Sequence, residues 1–227
     1  MVQSNALYIE KPMIRLLPLV ALSAIAFLLP CPLYADDLRQ SYPLLAKTDI
    51  NALKEKAYHG DGEAQFNLAT AYGRGLGVQI NHNEAWDWII KAANSGYAEA
   101  QYWLGYSYFY GYREKTNRTT ALEWYKKSAD QNFVNAQFMV AYILDSNEFK
   151  DIPRQPKAAV SWYSKAGNHG HAEAAFRLGC KSYFGMDVGK DLVIAKKWFK
   201  IAAKNGDPVA KEFITNKNDV ILQSHCR

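Results

Sequence analysis

Four tryptophans, Trp88, Trp124, Trp162 and Trp198, recur at intervals of 36, 38 and 36 residues, and this period constrains the fold more than any other feature. Ala64, Ala100, Ala136, Ala174 and Ala210 keep the same beat, as do the aromatics Phe66, Tyr102, Phe138 and Phe176. Gly60, Gly96, Asn132, Gly170 and Gly206 form a further column. Columns that share one period and one two-residue insertion define an internal repeat. A repeat of this length is one supersecondary unit, which buries its apolar face only by stacking on its neighbours.

Within one unit the residues dictate two helices. Ala64, Leu68, Ala71 and Tyr72 fall at three- and four-residue spacing and mark one helical face. Gly73, Gly75 and Gly77 then break the pattern. Asn81 with Glu84 resembles a capping pair that opens a second helix, whose face is Ala85, Trp88, Ile89 and Ala92. The cap column reads Asn81, Asn117, Gln155 and Asp191, with Pro156 at the first helical position where the cap is weakest. Asn132, in the column of helix-ending glycines, is the non-glycine residue best suited to a left-handed conformation. Small residues at 64, 100, 136 and 174, and in the column Ala69, Gly105, Ala141 and Gly179, permit close helix approach. The expected architecture is all-α, a right-handed solenoid of helix–turn–helix units. Its repeats span 61–96, 97–132, 133–170 and 171–206, after an N-terminal half repeat at 44–60. Residues 207–227 supply a capping helix and tail, in which Asp219 to Cys226 seals the last apolar face.

The N-terminus follows a different logic. Lys11 and Arg15 precede an apolar run from Leu16 to Leu29, which leads into Pro30, Pro32 and Ala35 and then Asp36–Asp37. That order reads as a secretory signal over 1–35 cut near Ala35, with a leader at 36–43. A start at Met13 instead of Met1 would make the signal more compact. A membrane anchor is the other reading, but the run is shorter than the ~20 residues a spanning helix needs. The signal segment is thus the only membrane element expected. Export makes Cys180 and Cys226 candidates for one disulfide; the alternative is a buried thiol at 180 and an idle one in the tail. Closing that loop would stabilise the fold by about 4 kcal/mol.

Several segments also carry a family resemblance. Ala64-Gln65-Phe66-Asn67-Leu68, Gly75-Leu76-Gly77-Val78 and the Ala85, Trp88, Lys91, Ala92, Ala93 pattern resemble the Sel1-like repeat, a relative of the tetratricopeptide repeat. Ala100 to Gly105 and the pattern of Ala121, Trp124, Lys127 and Ala129 are similar. The likeness spans about residues 50–216. Leu144 and Asn147 depart from it, so the loop from Asp145 to Gln155 is expected to take its own path. The resemblance implies an adaptor role, often in bacterial envelopes or at host contact. Some cysteine-rich relatives are linked with β-lactam chemistry, but this chain has no Ser-x-x-Lys, Ser-Asp-Asn or Lys-Thr-Gly and no regular cysteine pair in each repeat.

Residues that do not repeat carry the functional information. On the first helices one position reads Asn67, Trp103, Met139, Arg177, and the position three residues later reads Thr70, Tyr106, Tyr142, Cys180. In tetratricopeptide-like arrays the first helices line the concave face, which would put Trp103, Tyr106 and Tyr110 on one stripe, with Met139 and Arg177 extending it. The stripe is a candidate partner-binding site; the competing reading has these side chains packed between neighbouring first helices. The expected partner is another protein, of the envelope or a host, reached after export to the periplasm or the medium. Because Trp and Tyr rows stack on sugars, a cell-wall glycan is the alternative. Net charge is +5 for the whole chain and +4 without residues 1–35, read as a dispersed excess that argues against nucleic acid. Gly73, Gly75 and Gly77 follow a helix and lack a phosphate-loop lysine. His169 and His171 lack a ligand partner at metal spacing. No cofactor, metal or catalysis is expected.

Overall fold

The computed structural model describes residues 49–113, 115–216 and 219–226. The expected signal segment, the expected leader and the start of the expected half repeat lie outside the described residues. The described chain is built of helices: α1 (Ile50–Tyr58), α2 (Gly62–Arg74), α3 (His82–Asn94), α4 (Ala98–Tyr110), α5 (Arg118–Asp130), α6 (Val134–Asp145), α7 (Pro156–Asn168), α8 (Ala172–Phe184), α9 (Leu192–Lys204), α10 (Pro208–Asn216) and α11 (Asp219–His225). Each helix packs on the next in chain order, and each second helix packs on the first helix of the following unit. This serial stacking is the α-solenoid that the period demands.

Local chemistry sets the helix ends. Asn81 accepts from the N–H groups of Asn83 and Glu84, Asn117 from Thr120, and Asp191 from Val193 and Ile194. Gln155 makes no side-chain cap bond, and Pro156 opens α7 in its place. Asn132 has φ of 65°, the left-handed conformation read from its column. Asp187 adopts φ of 62° at the position that Gly77 holds in the first repeat.

The core repeats as the helices do. Tyr125, Tyr163 and Phe199 are fully buried at equivalent positions of α5, α7 and α9, with Ile89 at 2% exposure in α3. Two of them meet a glycine. A Cβ on Gly105 would lie 3.0 Å from the Tyr125 ring, and one on Gly179 only 2.5 Å from the Phe199 ring. The largest rings thus fit because the facing helix lacks a side chain there.

A polar ladder runs through the same core. Gln65, Gln101 and Gln137 are buried, and each amide donates to the carbonyl eight residues earlier, of Ala57, Ala93 and Ala129. Those carbonyls belong to the ends of the preceding helices, where each accepts a backbone N–H from the following turn, and the glutamine adds a side-chain donor to the same oxygen. Each glutamine oxygen then meets the residue that ends the second helix of its own unit, Ser95, Gln131 and His169. In the last repeat the pair becomes Gly167 and Ala175, and a Cβ on Gly167 would sit 3.3 Å from the Ala175 backbone. Close backbone approach replaces the amide bridge.

The loop of the third repeat departs as its sequence requires. Ser146 is extended at the end of α6, and Phe149 and Ile152 turn inward to 7% and 6% exposure. Phe149 meets Phe109 edge-on at 5.5 Å, and Arg118 lies over its ring. Arg154 ties the loop back to Asp145 and across to Asp187, and buried Lys181 bridges both carboxylates at 2.9 and 2.7 Å. At the C-terminal end Leu222 of α11 is fully buried against the last repeat, and Phe213 of α10 packs on Phe199 at 4.9 Å. A disulfide joins Cys180 of α8 to Cys226.

Candidate partner-binding face

The five residues of the expected stripe fall into two layers. Trp103 is half-buried, and its indole N–H donates to Glu99, whose carboxyl is held above its usual range chiefly by burial. Tyr106 is 6% exposed and Met139 9%, so both belong to the packed floor, a correction to the stripe as an open surface. Of the row from Thr70 to Cys180, Thr70, Tyr106 and Cys180 are covered by the neighbouring helices, and Tyr142 is half-buried. Tyr110, one turn beyond Tyr106, emerges at 38%. Arg177 is half-buried, paired with Glu173 at 2.8 Å, and lies 5.7 Å over the Tyr142 ring.

The surface that remains open was only half legible. Tyr112, in the loop after α4, folds back to stack on Tyr106 at 5.7 Å and 13°, and it stays 48% exposed. Tyr110 and Tyr112 stand 5.9 Å apart, with Tyr110 4.4 Å from Tyr106 and Trp103 5.5 Å from it. Tyr112 sits outside any helical period, so spacing could not flag it. The result is a continuous aromatic cluster with two exposed phenols at its edge. Such rings offer a large rigid contact area and a polar tip.

Electrostatics mark the same region. Burial, and then the Tyr142 and Tyr112 hydroxyls, push the Tyr110 phenol up to about 12. Burial raises Tyr102, Tyr106 and Tyr142 as well. The row is therefore a set of protonated donors at any physiological pH. Beneath it, the buried hydroxyls of Tyr125 and Tyr163 have no hydrogen-bond partner among the described residues. Tyr125 lies in the field of Tyr102, Tyr110 and Tyr106, and Tyr163 in that of Arg177.

The remaining candidates resolve into structural roles. His171 accepts from the Ala174 N–H at the start of α8 and stacks on Phe138 at 4.3 Å, while His169 meets Gln137. Among the described residues no group of three or more His, Cys, Asp or Glu is placed to hold a metal, and no helix is long and apolar enough to cross a membrane. The basic excess, read as dispersed, is instead concentrated on α9, where Lys196, Lys197, Lys200 and Lys204 are all exposed.

Comparison with known proteins gives the fold its context. The family model of the Sel1 repeat matches residues 62–97, 98–133, 134–171 and 172–207. A crystal structure of a Sel1 repeat protein from Oxalobacter formigenes is similar, with a TM-score of 0.65 and 30% identity, over 73% of this chain and 47% of that one. A protective antigen present in uropathogenic Escherichia coli strains, with the same type of repeat fold, gives a TM-score of 0.63 and 29% identity over 70% of this chain and 34% of that one. This chain thus spans about half the length, or less, of these two solved structures. No curated protein matches it. Sel1 repeat proteins generally mediate protein–protein interaction and are typically scaffolds without catalytic activity. With four consecutive matched repeats across most of the described residues, the chain belongs to the Sel1 repeat family.

Proposed function

We propose that this chain is an exported adaptor that binds a macromolecular partner on its first-helix face, centred on Tyr110, Tyr112 and Trp103 with Arg177 at the far end. The observation that carries the reading is the aromatic cluster itself. Trp103 and Tyr110 occupy columns that the other repeats fill with Asn67, Met139 and Arg177, and with Arg74, Ser146 and Phe184, so the repeat itself does not dictate them. Two of its rings remain exposed where a folding core would cover them. A row of this length suits an extended peptide or a helix of an envelope or host protein. Export is supported by the N-terminal pattern and by the disulfide, which persists in oxidising compartments.

The test is a crosslinking pull-down from envelope fractions with the wild type and the Trp103→Ala/Tyr110→Ala variant. The proposal expects a protein enriched by the wild type and lost with the variant, at unchanged helicity. Equal capture by both would remove the site from this face. A glycan reading has one observation of its own: a depression of about 210 Å³ lined by Trp86, Trp124, Tyr108, Leu104, Ile90 and Asn94, where indoles could stack on a sugar ring. Retention on insoluble cell wall that Trp124→Ala abolishes would favour it.

A further inference from the structure

The last second helix, α9, carries residues that the repeat does not need. Its buried side is Ala195, Phe199 and Ala202, at 1%, 0% and 0% exposure. At 100° per residue, the direction opposite these three runs through Val193, Lys197, Lys200 and Lys204. Val193 is 81% exposed, flanked by Leu192 at 55% and Ile194 at 46%. An aliphatic tip and a lysine row thus share one outward line.

The other repeats show that this line is free to vary. Where Val193 stands, they have Asn83, Thr119 and Lys157; where Lys197 stands, they have Asp87, Glu123 and Ser161. The outer face therefore changes from acidic to basic along the array, and three consecutive exposed aliphatics open only the last of its second helices. Charge of the other sign is scarce nearby. Asp191 is engaged in capping α9, and Asp187 is paired with Arg154 and Lys181. Glu212 of α10 neighbours Lys211, and α7 adds exposed Lys157 and Lys165 with no carboxylate of its own.

We infer that the outer face of α9 docks on an anionic phospholipid bilayer, with Leu192, Val193 and Ile194 entering the headgroup boundary and Lys197, Lys200 and Lys204 facing the lipid phosphates. The combination decides between polyanions. Lysines alone would serve nucleic acid equally well, but three exposed aliphatics have nothing to bury against a phosphate backbone and do have an apolar boundary to enter at a membrane. The surface is separate from the partner-binding face, so an adaptor held this way would keep its first helices open.

The test uses residues 36–227, the exported form proposed above, which contains every described helix. Vesicles of equimolar phosphatidylglycerol and phosphatidylcholine are compared with pure phosphatidylcholine in a sedimentation assay at low salt. The wild type should bind the anionic vesicles only, and added salt should release it. Each lysine near such a surface contributes roughly fivefold in partitioning, so Lys197→Gln/Lys200→Gln should lower binding about 25-fold. Val193→Asp should lower it about tenfold or more by removing the apolar insertion. All three side chains are exposed, so melting temperatures should not change, which separates loss of binding from loss of fold. Sedimentation no greater with anionic than with neutral vesicles would overturn the inference. So would binding that Val193→Asp leaves intact, or tighter binding to a labelled DNA duplex that this variant retains.

Discussion

Gly179→Ala tests the packing logic of the array at its tightest point. The new Cβ would stand 2.5 Å from Cε1, 2.6 Å from Cδ1 and 3.0 Å from Cγ of Phe199, well inside contact distance. The ring cannot withdraw, because it is fully buried against Phe213 at 4.9 Å and Phe176 at 5.7 Å. Overpacking costs about 1–3 kcal/mol, and an approach of 2.5 Å to a ring that cannot move belongs in the upper part of that range, at about 2–3 kcal/mol. Alanine in a helix interior returns about 1 kcal/mol relative to glycine. The net expectation is a loss of about 1–2 kcal/mol, which lowers the melting temperature by roughly 2–8 °C in a fold of this size. Circular dichroism melts of Gly179→Ala, Phe199→Leu and the double variant provide the assay. The double should be more stable than the sum of the singles, since the smaller side chain makes room for the methyl. A Gly179→Ala protein as stable as the wild type, or strictly additive losses, would refute the argument.

Three other outcomes follow from the same structure. Gln137→Ala removes the side-chain donor to the Ala129 carbonyl, which keeps the Asn132 N–H, and breaks the link to His169, so it should cost about 0.5–1.5 kcal/mol in urea unfolding, whereas Ala175→Gly, in the repeat that has lost the amide bridge, breaks no such bond. His171 is held down at about 4, first by burial and then by Arg177, so its neutral form belongs to the folded state. Its folded value is depressed below the ordinary 6.5, so its contribution is complete above pH 6.5 and is lost as pH falls toward 4; His171→Gln should flatten stability across that window. Reduction of Cys180–Cys226, which closes a separation of 46 residues, should lower stability by about 4 kcal/mol in the chain-entropy estimate, and Cys180→Ser/Cys226→Ser should match the reduced wild type.

The sequence discloses the array because stacking imposes the same demands in every unit. Trp, Ala and Gly columns mark what each repeat must bury or turn, and the caps Asn81, Asn117 and Asp191 do what their residue types require. Exposure is less legible than azimuth. Periodicity places Tyr106 and Tyr110 on one stripe, yet the neighbouring helices cover the first and leave the second open. Tyr112 joins them through a loop, where no period applies. The Gln65, Gln101 and Gln137 ladder keeps the repeat period, but a reading of hydrophobic columns passes over a polar residue even when it is buried. The basic row of α9 escapes a composition argument because +5 over 227 residues is small, and only the helical direction gathers its lysines on one line.

The central claim is that the first-helix face holds the partner. A photo-crosslinking residue placed at Tyr110 tests it directly, with one at Asp87, exposed on the outer side of α3, as the comparison. The account predicts a discrete adduct in envelope fractions from position 110 and none from position 87. An adduct from position 87 alone would contradict it and move the partner to the outer helices.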